Sequence, residues 1–431
     1  MWNQGEPKGG QYPVGFMVFW VRLVLSAGVS LHGVERVLLV LNQTFNLRLP
    51  IPDWTTGRTW ITRLGLWELW RPLPYGCLTI TWVWIVDHAV QIGKHKVLLI
   101  LGLVLEDLPS EGPWAPLQLE DVQLVGLIPM SPSNKETVDQ ALEVSAARTG
   151  IPAAIVSDHG GDLSGGVKLF CKRHPETREI YDAAHKGACL LKGRLEKDVQ
   201  WKKFQMLAGQ TRVQAVQTEL ACLMPPRLRM KSRYLNLEPV LNWALWAWEV
   251  LNESRAGRPP LDITAARVDE KLGWLDEFAE KLPEWRDWLG QIEETVRTIR
   301  EYGHSLQAPA LLKSRLPEPK YASTRVLAEE LQSFVCEHSN KARQNERLPG
   351  SSEVLESAQG KLKNLERQQS QEGFTRFVLS IGACLGNAID RMTQAATAIA
   401  NKAVHNWSAN NFVQTLAARR CAVHSSATET G

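Results

Sequence analysis

The chain has 431 residues, with 49 Lys and Arg against 46 Asp and Glu and a net charge of +3. So even a balance excludes a histone-like or tail-type polyanion binder, and any nucleic-acid contact has to be a local basic surface. The length allows two or three domains, each with its own core. Cysteines at 77, 171, 189, 222, 336, 384 and 421 show no CxxC and no paired spacing. That pattern fits a reducing compartment and argues against a zinc site or a disulfide framework.

Residues 1–12 are polar and glycine-containing, and are expected to be disordered. The apolar run Val14–Leu25 contains Arg22 and falls short of the roughly 20 residues that a membrane span needs. The amphipathic pattern continues behind it, so a buried helix is expected rather than a signal peptide, and the chain reads as soluble and intracellular, with no membrane partner. From Pro13 to about Asn46 the pattern predicts two helices. Ser30 caps the second, with Val34, Val37, Leu38 and Leu41 on one face. After the break at LRLPIP, the run DWTTGRTWITRLGLWEL predicts a third helix. Trp60, Ile61, Leu64 and Trp67 share one stripe, and Arg58, Thr59, Thr62 and Arg63 share the other. A helix, a break and a helix offering Arg and Thr is what a helix-turn-helix reader of the major groove requires. Residues 1–75 are therefore expected to form an all-α, helix-turn-helix-like domain, with Arg58, Thr59, Thr62 and Arg63 as candidate DNA-binding residues. A plain helical subdomain fits the pattern equally well.

Residues 76–208 alternate in type. Leu78–Gly102, LTITWVWIVDHAVQIGKHKVLLILG, reads as two buried strands joined by a polar connection, with Asp87 where the first apolar run stops. A Pro-rich link, a strand at VQLVGLIPM and a helix capped by Asn134 and stopped by Gly150 follow. The buried strand PAAIVS runs into Asp158-His159-Gly160-Gly161-Asp162. A helix near 164–173, a short strand at REIYD and a long helix from Ala183 to about Leu207 complete an α/β domain with a mixed sheet. From 209 to 349 the pattern is helical, interrupted by proline pairs, and holds six of the 17 tryptophans. Residues 351–367, SSEVLESAQGKLKNLER, predict a polar helix capped by Ser351 or Ser352. Ala-rich helices run to about 418, and 419–431 form a loose tail.

An aspartate ending a buried strand is costly unless it is paired or holds a cation. Asp87 and Asp158 both follow buried strands, and neighbouring strands would bring them out at one edge. Glu353 and Glu356 lie one helical turn apart, and either completes a trio if their helix packs on the sheet. Three carboxylates without a thiolate or imidazole cluster suit Mg²⁺ or Mn²⁺. Two such ions roughly 4 Å apart serve phosphodiester chemistry. Unrelated surface acids are the bland alternative. Asp162 rivals Asp158, but its place beyond a Gly pair suits helix capping better. His88 and His159, each following a proposed ligand, are expected to be simply hydrogen-bonded, and Asp182 and His185 suit a helix start.

The order of elements, an interrupting domain before the last helix, and the segments IVDHAVQIGKHKVLLILG, IVSDHGGDLSGGVKLF and SSEVLESAQGKLK resemble the DDE transposases of bacterial insertion sequences. The resemblance covers about 76–208 and 350–367, and more loosely the N-terminal helices. It implies a ribonuclease H-like core, a mixed sheet with flanking helices spanning 76–208 and 350–418, interrupted by a helical insertion at 209–349. It implies Asp87, Asp158 and Glu356 as catalytic residues and ligands of two Mg²⁺ (or Mn²⁺) ions. Glu356 is preferred because the family places Ser directly after its glutamate and Lys seven positions on, as Ser357 and Lys363 stand here. Lys363 would then hold a DNA phosphate. One branch has Tyr and Arg seven and four residues before the glutamate, where this chain has Pro349 and Ser352. The implied activity is cutting element ends and joining the 3′-hydroxyl to target DNA. The implied partners are double-stranded DNA and a second copy in a synaptic homodimer, in a cytoplasmic, nucleoid-associated setting. The alternatives are an inactive transposase-derived DNA-binding protein and a ribonuclease H-like nuclease or resolvase.

Trp243 and Trp246, and then Trp274, Trp285 and Trp288, could stack an extruded base. A helical layer packed with large side chains is the favoured reading. Basic stretches at Arg227–Arg233, Lys192–Lys203 and Lys313–Lys320 could follow phosphates, with solvated faces as the default.

Overall fold

The Trp-, Ile- and Val-rich run after residue 80 forms β1 (Trp82–Ile92), which turns back into β2 (His95–Val104). The computed structural model describes residues 11–73, 80–92, 95–227, 237–258, 263–368 and 375–412. The expected disorder of 1–10, the proposed strand start at 78–79, nearly all of the RLRMKSR cluster and the tail at 419–431 lie outside the described residues. The chain divides into two compact units, residues 1–180 with 352–431, and residues 181–351. The second unit thus begins near 181 rather than at the expected 209, and takes in the helices that follow the last strand.

The first unit is mixed α/β around a five-stranded mixed sheet of order β3-β2-β1-β4-β5. Its other strands are β3 (Gln123–Met130), β4 (Ala154–Ser157) and β5 (Arg178–Tyr181), whose last residue opens the second unit. β1 runs antiparallel to β2 and parallel to β4, with Trp84 opposite Gly102 and Ile155. A Cβ on Gly102 would lie 2.7 Å from the Trp82 ring, so only glycine leaves room there. The sheet is buried on both faces. On one face Trp84, Val86, Leu98, Ile100 and Ile155 pack with α4 (Lys135–Thr149) and α5 (Gly161–Arg173). Asn134 caps α4 as expected, in a reciprocal capping box with Thr137, and Gly150 ends it at φ 81°.

The N-terminal helices are α1 (Val14–Leu25), α2 (Leu31–Phe45) and α3 (Trp54–Trp70). Ser30 caps α2 by accepting from Gly33 N at 2.9 Å. These helices do not form a separate unit. They share a core with α15 (Met392–Ala398) and with Phe377, Ala383 and Cys384. α3 presses so closely on the short helix α14 (Ser380–Ala383) and its approach that a Cβ on Gly65 would fall 1.8 Å from Leu379 O. Glu68, 1 % exposed, accepts from Arg71 Nε at 2.6 Å and Arg391 Nε at 2.6 Å, welding α3 to the C-terminal segment. α13 (Glu353–Glu366) packs against β1, and α16 (Asn401–Asn411) follows. Ser352 occupies the N-cap position of α13 without the expected side-chain cap bond.

The second unit is helical. The long helix expected from Ala183 is two, α6 (Ala183–Leu195) and α7 (Val199–Ala215), because Asp198 caps a fresh start by accepting from Gln200 N and Trp201 N. Asp182 caps α6 through His185 N at 2.7 Å, as its sequence position suggests. α8 (Glu238–Arg255), α9 (Ala265–Leu272), α10 (Lys281–Tyr302), α11 (Ala308–Arg315) and α12 (Ala322–Ser339) complete it. Trp201, Trp243, Trp285 and Trp288 are buried in one core with Phe204 and Phe278, the packed layer favoured from the sequence, while Trp246 is exposed. His304 pairs with Leu348 in an isolated antiparallel bridge, and Ala183 N donates to Gly350 O at 3.0 Å, joining the ends of the unit.

Candidate active site

Asp87 is expected from the sequence at the end of the first strand, but β1 continues past it to Ile92, so it lies mid-strand opposite Leu99. The polar DHAVQIGKHK connection is mostly strand because β2 pairs with β1 along its whole length, with a bulge between His88 and Val90. What ends at Asp87 is the pairing with β4. The last register pair is Val86 with Ser157, and the next residues along are Asp87 and Asp158. Residues in register on parallel strands point to the same face, and neighbouring strands lie about 4.8 Å apart. Asp87 and Asp158 are thus the next positions in register on neighbouring strands. Asp87 continues the face lined by Val83 and Ile85, opposite to the face under α4 and α5.

α13 reaches Asp87 on this face. The Gln359 side-chain amide donates to Asp87 Oδ2 at 2.8 Å and to His88 O at 3.4 Å. Asp87 Oδ1 accepts from His88 N at 2.6 Å, and Asp158 Oδ1 accepts from Gly160 N at 3.0 Å, a turn typical of an aspartate leaving a strand. Glu356 precedes Gln359 by one turn and Lys363 follows it by one, so the three share a stripe of α13. Glu356 is exposed, Glu353 half-buried. Gln359 carries no signal alone; once Glu356 and Lys363 are chosen, its position between them marks it.

The opposite face of β1 carries a second polar cluster. Asp162 does not cap a helix as expected. It sits in the first turn of α5, and its Oδ2 accepts from Lys96 Nζ and Ser133 Oγ, each at 2.6 Å. Burial pushes its carboxyl up, but those two bonds outweigh it and hold the pKa at about 2. His88 Nε2 lies 3.7 Å from Asp162, and burial followed by the Lys96 charge keeps its pKa below the ordinary value. His159 Nε2 stands 3.8 Å from Glu179.

Among the described residues no group of three His, Cys, Asp or Glu side chains is gathered closely enough to hold a metal ion. The sheet register puts Asp87 and Asp158 at the positions just beyond its last parallel pair, and α13 contacts Asp87 through the Gln359 amide. Aspartate carboxylates are hard oxygen donors of the kind Mg²⁺ and Mn²⁺ take. Glu356 lies one helical turn from Gln359, the α13 residue that contacts Asp87.

The stripe expected to read DNA is largely spent within the first unit. Thr62, 2 % exposed, donates to Arg58 O at 3.2 Å and Thr59 O at 3.0 Å. Arg63 donates to Ile399 O at 2.6 Å and Ala396 O at 2.5 Å, satisfying carbonyls at the end of α15. Thr59 donates to Thr55 O at 2.9 Å, and the Arg58 guanidinium lies 5.1 Å over the Trp54 ring. Thr62 and Arg63 are therefore not presented to a groove, because the C-terminal helices cover that side of α3.

No model of a known protein family matches the chain, and no curated protein matches it. Among solved structures it is similar to the Drosophila P element transposase strand transfer complex, at 13 % identity and a TM-score of 0.31, over 92 % of this chain and 89 % of that one. A likeness that loose transfers no residue role. No helix among the described residues is long and apolar enough to cross a membrane.

Proposed function

We propose that this chain is a DNA transposase with a ribonuclease H-like core, cutting element ends and joining the freed 3′-hydroxyl to target DNA. What supports the reading is that Asp87 and Asp158 each follow the last parallel-paired residues of β1 and β4, with α13 bonded to Asp87 through Gln359. Asp87, Asp158 and Glu356 would hold two Mg²⁺ or Mn²⁺ ions. Such a pair, when bound, activates water and steadies the departing oxygen of a phosphodiester.

The chain's own residues position the reactants. Gln359 donates to one oxygen of Asp87 and so fixes the carboxylate's plane. Lys363, on the same stripe of α13, would hold a phosphate of the cleaved strand by charge. In the first step a water oxygen attacks phosphorus and the 3′-oxygen leaves. In the second that 3′-oxygen attacks a target phosphorus in line and the target's own 3′-oxygen leaves, so no covalent enzyme intermediate is needed. A homodimer bridging two ends belongs to the same reading.

The test uses full-length protein and a plasmid carrying the coding region with its flanking DNA. D87N, D158N and E356Q are each expected to lose cleavage at least 100-fold in Mg²⁺, as removal of a catalytic group commonly does, with DNA affinity held within about twofold. E353Q should cleave like the wild type. Strand transfer by D158N in Mg²⁺ would overturn the assignment.

A further inference from the structure

Four segments of the first unit bring arginine and histidine side chains to one place. The Arg58 guanidinium lies over the Trp54 ring, and the His32 ring sits 4.7 Å from the same indole. Arg376 opens a short turn, 376–379, that packs against α3, and α16 packs against both. Its Nη1 is 2.8 Å and 3.0 Å from the two ring nitrogens of His405 on α16. Burial, and then the nearby Arg376 charge, lower the pKa of Arg58. Asp53 is the carboxylate that acts against this, and it is exposed and engaged with Thr55 N at 2.8 Å.

Two like-charged guanidiniums held together and partly out of water repel one another. A phosphate placed between them reverses the sign of that interaction, and the planar fork of arginine matches phosphate oxygens two at a time. The indole under Arg58 holds its guanidinium flat against the ring. His405 and His32 are exposed, so the cluster opens to the surface, where an extended polyanion fits better than an enclosed small anion. We propose that Arg58, Arg376 and His405 form a clamp for backbone phosphates of duplex DNA, gripping the strand rather than reading base edges. The clamp rests on the DNA reading above, and gives Arg58 a partner set in the C-terminal segment.

The experiment measures binding of full-length protein to a labelled mixed-sequence duplex of about 30 bp, by fluorescence anisotropy, from about 50 to 200 mM salt. R58Q/R376Q should weaken binding about tenfold and make the log–log salt slope shallower by about two, one unit for each phosphate no longer neutralised. R58K/R376K, which keeps the charges, should retain most of the slope. R376Q alone, away from the α3 core, should reduce the slope by about one, which keeps the test sound if the double variant fails to fold. An unchanged slope in the R376Q variant overturns the clamp and leaves the DNA reading standing. Failure of the wild type to bind duplex DNA overturns both. Inorganic phosphate binding that disappears in R376Q while its DNA slope is unchanged would make this a small-anion site and overturn the clamp. Tighter binding of duplex RNA, with the change of slope confined to RNA, would overturn it too.

Discussion

The Gln359 amide nitrogen stands 2.8 Å from Asp87 Oδ2, joining two residues 272 positions apart in the chain. This bond, with the apolar face of α13, brings the stripe of Glu356 and Lys363 to β1 beside Asp87. Gln359→Leu keeps much of the side-chain volume and removes the donor. It should cost about 1–2 kcal/mol, the cost of leaving a half-buried carboxylate one partner short. A urea midpoint indistinguishable from that of the wild type would show that the bond does not tie α13 to β1.

Glu68 is expected to be the most sensitive buried charge of the first unit. Its carboxylate meets Arg71 at 2.6 Å and Arg391 at 2.6 and 3.0 Å. Glu68→Ala leaves two guanidiniums without their acid and should destabilise by about 3–5 kcal/mol. Glu68→Gln, which can still accept, should cost less. Denaturant titration of both variants checks the order, and equal losses would refute it.

Acid should weaken the Lys96–Asp162 contact in a narrow window. The folded-state pKa of Asp162 lies at about 2, against an ordinary 3.8. A depressed carboxyl adds stability that is complete above the unfolded value and disappears as pH falls from about 4 toward 2. The shift corresponds to up to about 2 kcal/mol. Asp162→Asn should lose about that much at neutral pH and show a flatter stability profile between pH 4 and 2.

His304 should make the second unit acid-sensitive at a higher pH. It is wholly buried, neither ring nitrogen has a hydrogen-bond partner among the described residues, and burial pushes its pKa down to about 3. Above pH 6.5 the imidazole is neutral both folded and unfolded, so it contributes no pH dependence. Below that the unfolded chain takes up a proton that the folded one refuses, costing about 2 kcal/mol by pH 5. His304→Leu should flatten the unfolding midpoint between pH 7 and 5 without lowering it at pH 7. A parallel fall in both proteins would remove His304 as the cause.

Trp285 tests whether the tryptophan-rich layer is structural. It is 1 % exposed and meets Trp201, Phe204 and Phe278 with ring centroids 5.0–6.2 Å apart. Trp285→Ala should cost about 3–5 kcal/mol. Trp246, 43 % exposed, should tolerate alanine within about 0.5 kcal/mol by the same denaturation assay.

Local chemistry is legible wherever it decides local structure. Ser30, Asn134 and Gly150 mark helix ends that the backbone obeys, since an orphan N–H or a left-handed turn is satisfied within a few residues. The strands near Val83, Leu99, Val125 and Ile155 are plain from their β-branched, apolar runs. That Asp87 and Asp158 follow the last residues of the β1–β4 pairing is legible, because each comes after an apolar run. The break at Asp198 escapes a reading by helical period alone, although an aspartate before a new apolar period is a capping signal.

By itself the sequence determined where most strands and helices lie and which residues cap them, because those outcomes depend on side chains a few positions apart. Only the tertiary structure decided that Gln359 touches Asp87, that Asp162 pairs with Lys96, and that Arg63 is spent on the carbonyls of α15. Each of those contacts joins residues from 66 to 336 positions apart. Their choice follows from how helices pack on the sheet and on one another, a property of the whole core that no short window of residues carries.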